Sequence, residues 1–207
     1  MKQHLQTNKF FFISYILFFI FGIGIIVNFT KTEQMIWINS HHNPFFDVFF
    51  QIMTWLGEGS LFVILAIGLF FVRKDRALMV LASFLLSTLL SQFFKHYIFP
   101  EYLRPFAFFK GQNIDWYMVK GLEISRYNSF PSGHTTSAFA MFSLVTFFLK
   151  NKNWGYVCCL LAALIGYSRA YLFQHFPEDI LAGSVLGLAC SLVVYFFLNR
   201  DSLDTSR

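Results

Sequence analysis

Residues 154–198 of the chain read WGYVCCLLAALIGYSRAYLFQHFPEDILAGSVLGLACSLVVYFFL, two apolar runs that meet at a short stretch containing an arginine, a histidine and two acids. The runs cover residues 154–173 and 177–198. Each has about the 20 residues that an α-helix needs to cross the hydrocarbon core of a bilayer. This stretch therefore predicts two membrane-spanning helices joined by a tight turn at one membrane face.

The composition of the whole chain agrees with this interpretation. Of its 207 residues 56% are hydrophobic and only 13% are charged, whereas a soluble domain carries about 25% charged residues. This composition excludes a disordered segment and an ordinary soluble enzyme. The net charge of +5 is not gathered on one face, so nucleic acid is not an expected partner.

Four further apolar runs complete the predicted topology. They cover residues 10–29, 49–72, 77–98 and 135–149. We therefore expect an all-α bundle of six transmembrane helices, with residues 1–207 forming a single membrane-embedded domain. The one long connection, residues 99–134, joins the third and fourth helices and is the expected functional loop region.

Basic residues between the runs predict the orientation. With the N-terminus in the cytoplasm, nine Lys and Arg residues lie inside and seven outside, and the turn Arg73, Lys74 and Arg76 favours this arrangement most strongly. The long connection then lies on the extracytoplasmic face. Since the chain is compact, we expect a multi-pass protein of a bacterial inner (plasma) membrane whose site faces the periplasm or the outside.

Three polar clusters fall at this predicted outer face. They are Lys95 with Arg104, then Pro131-Ser132-Gly133-His134, then Ser168-Arg169 with His175 and Asp179. Ser132 and Gly133 stand where a helix begins, so free backbone N–H groups and the helix dipole favour an anion there. The cations Lys95, Arg104 and Arg169 match phosphate oxygens. Because no carboxylate cluster typical of Mg²⁺ or Zn²⁺ accompanies them, we expect chemistry without a metal or another cofactor.

The two histidines fit two chemical roles. Asp179 lies four residues after His175, in the first turn of a helix started by Pro177, and can accept the N–H of one ring nitrogen. The other nitrogen is then free to attack phosphorus. His134, on a different helix, can protonate the leaving oxygen.

In this order the clusters resemble the three signature motifs of the type 2 phosphatidic acid phosphatase superfamily. The resemblance covers about residues 50–198 and implies an integral membrane protein with six spans. It also implies that His175 is the nucleophile that becomes phosphohistidine, with Asp179 as its orienting partner and His134 as the general acid. The residues that it implies for phosphate binding are Lys95, Arg104, Ser132, Gly133 and Arg169.

One spacing departs from the family pattern. Eight residues separate Lys95 from Arg104, where the family usually has six. We expect the extra pair to bulge around Pro100 and Glu101 and to leave both cations in place. Glu58, the remaining acid at membrane level, is expected to be an interfacial, solvated carboxylate.

The resemblance implies a lipid phosphatase that acts on a phosphomonoester or diphosphate of an anionic lipid. Four lipid substrates fit this site equally well: phosphatidylglycerol phosphate, phosphatidic acid, undecaprenyl diphosphate and lipid A. The lipid bilayer is the expected environment. Protein partners are not predicted. Transfer of phosphate to an acceptor other than water and hydrolysis of a soluble ester stay open. A non-catalytic lipid-binding or transport protein fits less well, because a binder needs cations but neither a nucleophile nor an acid. Haloperoxidases that bind vanadate share the motifs but are soluble.

A shorter segment, residues 30–47, is predicted to contain an interfacial helix. It carries adjacent histidines, His41 and His42, which point to different faces of a helix and are not expected to bind a metal.

Overall fold

The structure is a computed structural model that describes residues 7–199, and all regular structure in this range is helical. The helices are α1 Lys9–Asn28, α2 Lys31–Asn39, α3 Pro44–Leu56, α4 Gly59–Phe70, α5 Lys74–Phe93, α6 Pro105–Phe108, α7 Gly133–Phe148, α8 Gly155–Tyr171 and α9 Pro177–Leu198. A π-helical turn, Phe94–Ile98, continues α5, and a 3₁₀ turn, Lys152–Trp154, precedes α8. The expected single domain extends beyond both ends of this range.

Three of the described helices are long and apolar enough to cross a membrane: α1, α9, and α5 with its π-helical turn. Helices α3 and α4 pass the same test only together, as a pair bent by 53°. Helices α7 and α8 have 16 and 17 residues and fall short of the usual length. By length and composition the described residues therefore contain three spans, or four with the bent pair, against the six predicted.

The predicted continuous helix over 49–72 is wrong. The helical segment begins earlier, at Pro44, and it is interrupted at Gly57 and Glu58, where Glu58 has extended backbone. Two glycines flank this glutamate, and glycine is among the weakest helix formers. Mean apolarity does not detect such a break, because the residues on both sides of it are apolar.

Helix α7 lies at the centre of the bundle and packs against α5, α8 and α9. Glycines on α9 allow the closest of these approaches, as small residues commonly do between membrane helices. A Cβ on Gly183 would lie 2.6 Å from the Ser132 carbonyl oxygen, and one on Gly187 would overlap the Thr136 carbonyl oxygen. This close packing holds the start of α9 beside the start of α7.

A helix, α2, is present where an interfacial helix is predicted, although it covers only part of residues 30–47, since α3 begins at Pro44. Thr30 and Glu33 form a capping box at its start. Lys31 forms an ion pair of 2.6 Å with Glu178 in the first turn of α9 and lies over the Phe176 ring. Helix α2 is thereby attached to the end of the bundle where α9 begins.

The long connection folds back over this same end. Asn39 at the end of α2 and Tyr117 in the connection exchange two hydrogen bonds, of 2.9 and 3.0 Å. The rings of Phe109 and Trp116 in the connection pack against the Phe173 ring beyond the end of α8. The starts of α7 and α9, the end of α8 and the connection therefore meet at one end of the protein.

Candidate active site

A cavity of about 660 Å³ opens at this end of the bundle. Six of the eight predicted site residues line it: Lys95, Arg104, Gly133, His134, Arg169 and His175. The other two, Ser132 and Asp179, are fully buried beside it. The structure thus brings side chains from the end of α5, from α7, α8 and α9 and from the long connection to one place, and both histidines line the same cavity.

His175 lies in the turn between α8 and α9, and two sets of hydrogen bonds fix it. The backbone N–H groups of Gln174 and His175 donate to the Arg169 carbonyl oxygen at 2.8 and 3.1 Å. The ring Nδ1 donates to Asp179 Oδ2 at 3.2 Å, the contact that the four-residue spacing predicts. These bonds leave Nε2 as the ring nitrogen available to a substrate.

Asp179 is held by two further donors, one local and one distant in the chain. Its Oδ2 also accepts from the backbone N–H of Phe176 at 3.0 Å and from the hydroxyl of Ser129. Ser129 is fully buried and 50 residues from Asp179 in sequence. No motif indicated Ser129, because the contact forms only when the long connection folds back over the bundle.

The surroundings of His175 keep its imidazole neutral. Its side chain is 1% exposed, and this removal from water is the main reason that its pKa lies well below the ordinary value of 6.5. The positive charges of Arg104, Lys95 and Arg169 lower the pKa further. A neutral imidazole is the form that can act as a nucleophile.

Ser132 stands at the start of α7, as the sequence predicts, and its polar groups bond within the bundle. Its hydroxyl accepts from the Thr135 hydroxyl at 2.9 Å and from the Thr135 backbone N–H, and its own N–H donates to the Asp179 carbonyl oxygen at 3.0 Å. Ser132 therefore caps α7 and joins it to α9, and its side chain does not line the cavity. Gly133 does line the cavity, and a Cβ there would lie 3.8 Å from Lys95 Nζ.

The three predicted phosphate-binding cations have no ion-pair partner in the described part of the chain. Arg104 donates to the Tyr127 carbonyl oxygen and to the Gln174 side chain, both at 3.1 Å. Arg169 donates to the hydroxyl of Thr54. Two carboxylates, Glu58 and Glu123, also line the cavity but are exposed to solvent. The deeper part of the cavity is therefore positively charged.

The longer spacing between Lys95 and Arg104 is accommodated locally. Lys95 lies on the π-helical turn that ends α5, where the Phe99 N–H donates to the Phe94 carbonyl oxygen at 2.8 Å. A tight turn from Phe99 to Tyr102 follows and contains the positions where a bulge is expected. Both cations line the cavity.

The break between α3 and α4 forms part of the site. Thr54 just before it accepts the hydrogen bond from Arg169, and Gly57 within it packs closely against α7 and α8. A Cβ on Gly57 would lie 3.3 Å from His134 Cβ and 2.5 Å from Ile165 Cγ2. The sequence did carry a signal, the glycines on both sides of Glu58 within an apolar run.

Of the two adjacent histidines, His42 belongs to a hydrogen-bonded cluster around Asp47. His42 Nδ1 lies 2.9 Å from Asp47 Oδ1, and the hydroxyls of Tyr117 and Tyr171 donate to the same carboxylate at 2.8 and 2.7 Å. Within residues 7–199 no three His, Cys, Asp or Glu side chains are grouped so as to hold a metal ion. The expected absence of a metal and of a cofactor stays a prediction.

Comparisons with known proteins point to one family. A sequence model described as the PAP2 superfamily matches residues 76–202. The chain is 34% identical over 160 residues to phosphatidylglycerophosphatase B of Bacillus subtilis, covering 70% of this chain and 71% of that protein. It is 30% identical over 173 residues to a lipid A 4'-phosphatase of Porphyromonas gingivalis, covering 76% and 68%. The crystal structure of a transmembrane PAP2 type phosphatidylglycerolphosphate phosphatase from Bacillus subtilis superposes with a TM-score of 0.67 and 30% identity, covering 91% and 96%.

Proposed function

Since this chain belongs to the PAP2 superfamily of membrane phosphatases, we propose that it hydrolyses a phosphomonoester or diphosphate of an anionic lipid through a phosphohistidine intermediate. The observation that carries the proposal is the cavity wall, which holds two imidazoles and three cations without ion-pair partners among the described residues. A site that only binds phosphate needs the cations but not the histidines. The names of these relatives are those of lipid phosphatases, which supports a lipid phosphate as the substrate.

In the first step the lipid phosphate binds among the cations and the backbone N–H groups at the start of α7. His175 Nε2 attacks phosphorus, the new P–N bond forms, and the bond from phosphorus to the lipid oxygen breaks. Once the phosphate anion is bound beside it, His134 carries a proton, which it gives to the leaving oxygen. Asp179 keeps the Nδ1 proton of His175 in place and stabilises the positive charge that develops on the ring.

In the second step water attacks the phosphohistidine. His134, now neutral, takes a proton from this water, the P–N bond breaks, and inorganic phosphate leaves. Both histidines then return to their initial protonation states. Lys95, Arg104 and Arg169 neutralise the phosphoryl oxygens throughout, which is the role that a metal ion has in other phosphatases, so we propose that the reaction is independent of metal.

The topology that we propose has six spans. Helices α7 and α8 are about 24 to 26 Å long, slightly less than the ~30 Å hydrocarbon core, and they lie against longer helices that cross it. Arg73, Lys74 and Arg76 precede or begin α5, whose 20 residues put them about 30 Å from Lys95. This separation supports a cytoplasmic basic turn and an extracytoplasmic cavity in a bacterial inner membrane. Lys2, Arg200 and Arg207, which were counted in the predicted orientation, lie outside the described residues.

The proposed function is tested by phosphate release from purified protein in detergent. Phosphatidic acid, phosphatidylglycerol phosphate, undecaprenyl diphosphate and lipid A are assayed side by side in EDTA, with glycerol 3-phosphate as a soluble ester. We expect turnover of at least one lipid, little turnover of the soluble ester, and no loss of rate in EDTA. A strict requirement for added divalent metal contradicts the metal-independent mechanism, and an absence of turnover favours the non-catalytic alternative.

The same assay with an added alcohol separates hydrolysis from phosphotransfer. Phosphohistidine that is intercepted by an alcohol yields a new phosphate ester instead of inorganic phosphate. We expect inorganic phosphate as the product, because no acceptor other than water is needed to complete the second step.

Replacing Thr54 with valine should reduce kcat/KM about tenfold. Valine has nearly the same shape as threonine but cannot accept the hydrogen bond from Arg169, and hydrogen bonds to buried charged groups contribute about 1.5 to 3 kcal/mol. The measurement is the kinetics of phosphate release from the best lipid, together with the thermal stability of the variant. Thr54→Ser keeps the hydroxyl and is the matched control. Equal kinetics for Thr54→Val and the unmodified protein would remove Thr54 from the site.

A further inference from the structure

A second cavity, of about 540 Å³, lies beside the candidate active site. Its wall includes four side chains that carry or can carry positive charge, Lys95, His96, Arg104 and Arg126, and no Asp or Glu among the described residues. Lys95 and Arg104 also line the first cavity, as do Gln92 and Ser125. The two cavities are therefore adjacent, with two cations standing between them.

From this juxtaposition we propose that the second cavity binds a second phosphate group. The inference rests on the proposed function and narrows its substrate class to lipids that carry two phosphates. These are lipid diphosphates, or lipids whose terminal phosphomonoester is joined through a short linker to a phosphodiester. One phosphate lies by His175 and the other in the second cavity, with Lys95 and Arg104 in reach of both.

Arg126 is the residue that distinguishes the second cavity from the first. Its backbone carbonyl oxygen accepts a hydrogen bond of 2.9 Å from the Arg104 N–H, so the backbones of the two arginines are paired. The guanidinium lies 5.9 Å from the centre of the Phe106 ring and has no carboxylate partner in the part of the chain that the structure describes. It is thus an exposed cation that lines only the second cavity.

The charge of this wall favours an anion. Like charges brought together without a counter-ion raise the free energy of the empty cavity, and a bound dianion relieves that repulsion. A planar guanidinium can bind two phosphate oxygens at once, and the neutral side chains of Gln92, Ser125 and Asn128 offer further polar contacts. Phosphate is therefore the ligand chemistry that fits.

The position of the cavity points to a head group. Tyr127 on its wall is 59% exposed, and Tyr97, next to His96, is 76% exposed. Exposed tyrosines are typical of the depth at which lipid head groups lie. The same chemistry would also hold inorganic phosphate released by the reaction, so the test has to separate these two sources.

The test compares Arg126→Gln with a matched control, Lys110→Gln. Lys110 is an exposed cation of the same long connection that lines neither cavity, so both variants lose one charge from the same segment. The probes are phosphatidic acid, with one phosphate, and phosphatidylglycerol phosphate and undecaprenyl diphosphate, with two. We expect Arg126→Gln to raise KM about fivefold for the two-phosphate lipids, with little change for phosphatidic acid or in the control.

The second measurement of this test is how strongly inorganic phosphate inhibits the hydrolysis of phosphatidic acid. If Arg126→Gln weakens only this inhibition, the cavity is still a phosphate site, and its occupant is the released product. Unchanged KM values for all lipids together with unchanged inhibition would overturn the second site. Failure of the unmodified protein to hydrolyse any lipid would instead overturn the proposed function, so the two failures are distinguishable.

Discussion

Replacing His175 with glutamine is expected to reduce kcat for lipid phosphate hydrolysis by about 10⁴-fold or more, because loss of a covalent nucleophile removes the reaction path itself. Glutamine can still donate a hydrogen bond to Asp179, so the turn between α8 and α9 should fold. The measurement is phosphate release, with thermal stability as the check on folding. His41→Gln changes an exposed histidine outside the cavity and is the control for the substitution itself.

The intermediate gives this prediction a second readout. The unmodified protein should form an acid-labile, alkali-stable phosphoprotein with a lipid labelled in its terminal phosphate, and His175→Gln should form none. Retained turnover or a retained adduct in His175→Gln would assign the nucleophile to another residue.

The pH dependence of the unmodified protein follows from the same ring. Since burial and the neighbouring cations Lys95, Arg104 and Arg169 keep the pKa of His175 well below 6.5, lowering the pH through 6.5 should not protonate it. The decrease in hydrolysis rate that protonation of His175 causes should therefore occur far below pH 6.5. In the unfolded chain the ring does take up a proton near pH 6.5, so this group makes the folded state less stable as the pH falls below that value.

Replacing His134 with glutamine is expected to reduce kcat by about 10²- to 10⁴-fold for a lipid phosphate, the range found for general acid–base groups. The loss should depend on the leaving group. A lipid alkoxide needs a proton as it leaves, whereas a nitrophenolate leaves without one, so cleavage of p-nitrophenyl phosphate should suffer much less in the first step. The measurement is the loss of rate with the lipid phosphate divided by the loss of rate with p-nitrophenyl phosphate, both in the same variant. Since misfolding would reduce both rates alike, this ratio also controls for folding.

The second step also depends on His134, because water has to lose a proton as it attacks the phosphohistidine. With p-nitrophenyl phosphate, His134→Gln should therefore accumulate the phosphoprotein and release nitrophenol in a burst. Equal losses for both substrates without accumulation would mean that His134 contributes to binding and not to proton transfer.

Local features of the sequence carry most of the predicted fold. The length of an apolar run decides whether a helix can cross a bilayer, and the predicted runs coincide with helices α1, α5, α7, α8 and α9 to within a few residues. The contact between His175 and Asp179 is also local, because residues four apart at a helix start lie close together. For this reason a spacing in the sequence was enough to predict it.

The continuous helix over 49–72 was wrongly predicted because average composition conceals local geometry. The run over 49–72 is apolar throughout except near Glu58, so its summed hydropathy predicts one helix. In the structure one helix ends and another begins at the two glycines around Glu58. Ser132 stands at the predicted helix start, and the structure adds that its polar groups cap α7 and join it to α9; its role in phosphate binding stays a prediction. A motif gives the identity of a residue but not the direction in which its side chain points.

By itself, the sequence determined the helical membrane architecture, the family, and the histidines and cations that line the cavity, since these depend on residue type and short spacings. Only the tertiary structure decided that Ser129 holds Asp179, that Thr54 holds Arg169, and that Arg126 lines a second cavity. Each of these contacts joins residues far apart in the chain. Such contacts depend on how whole helices and the long connection pack together, and a single sequence does not encode that packing in any local pattern.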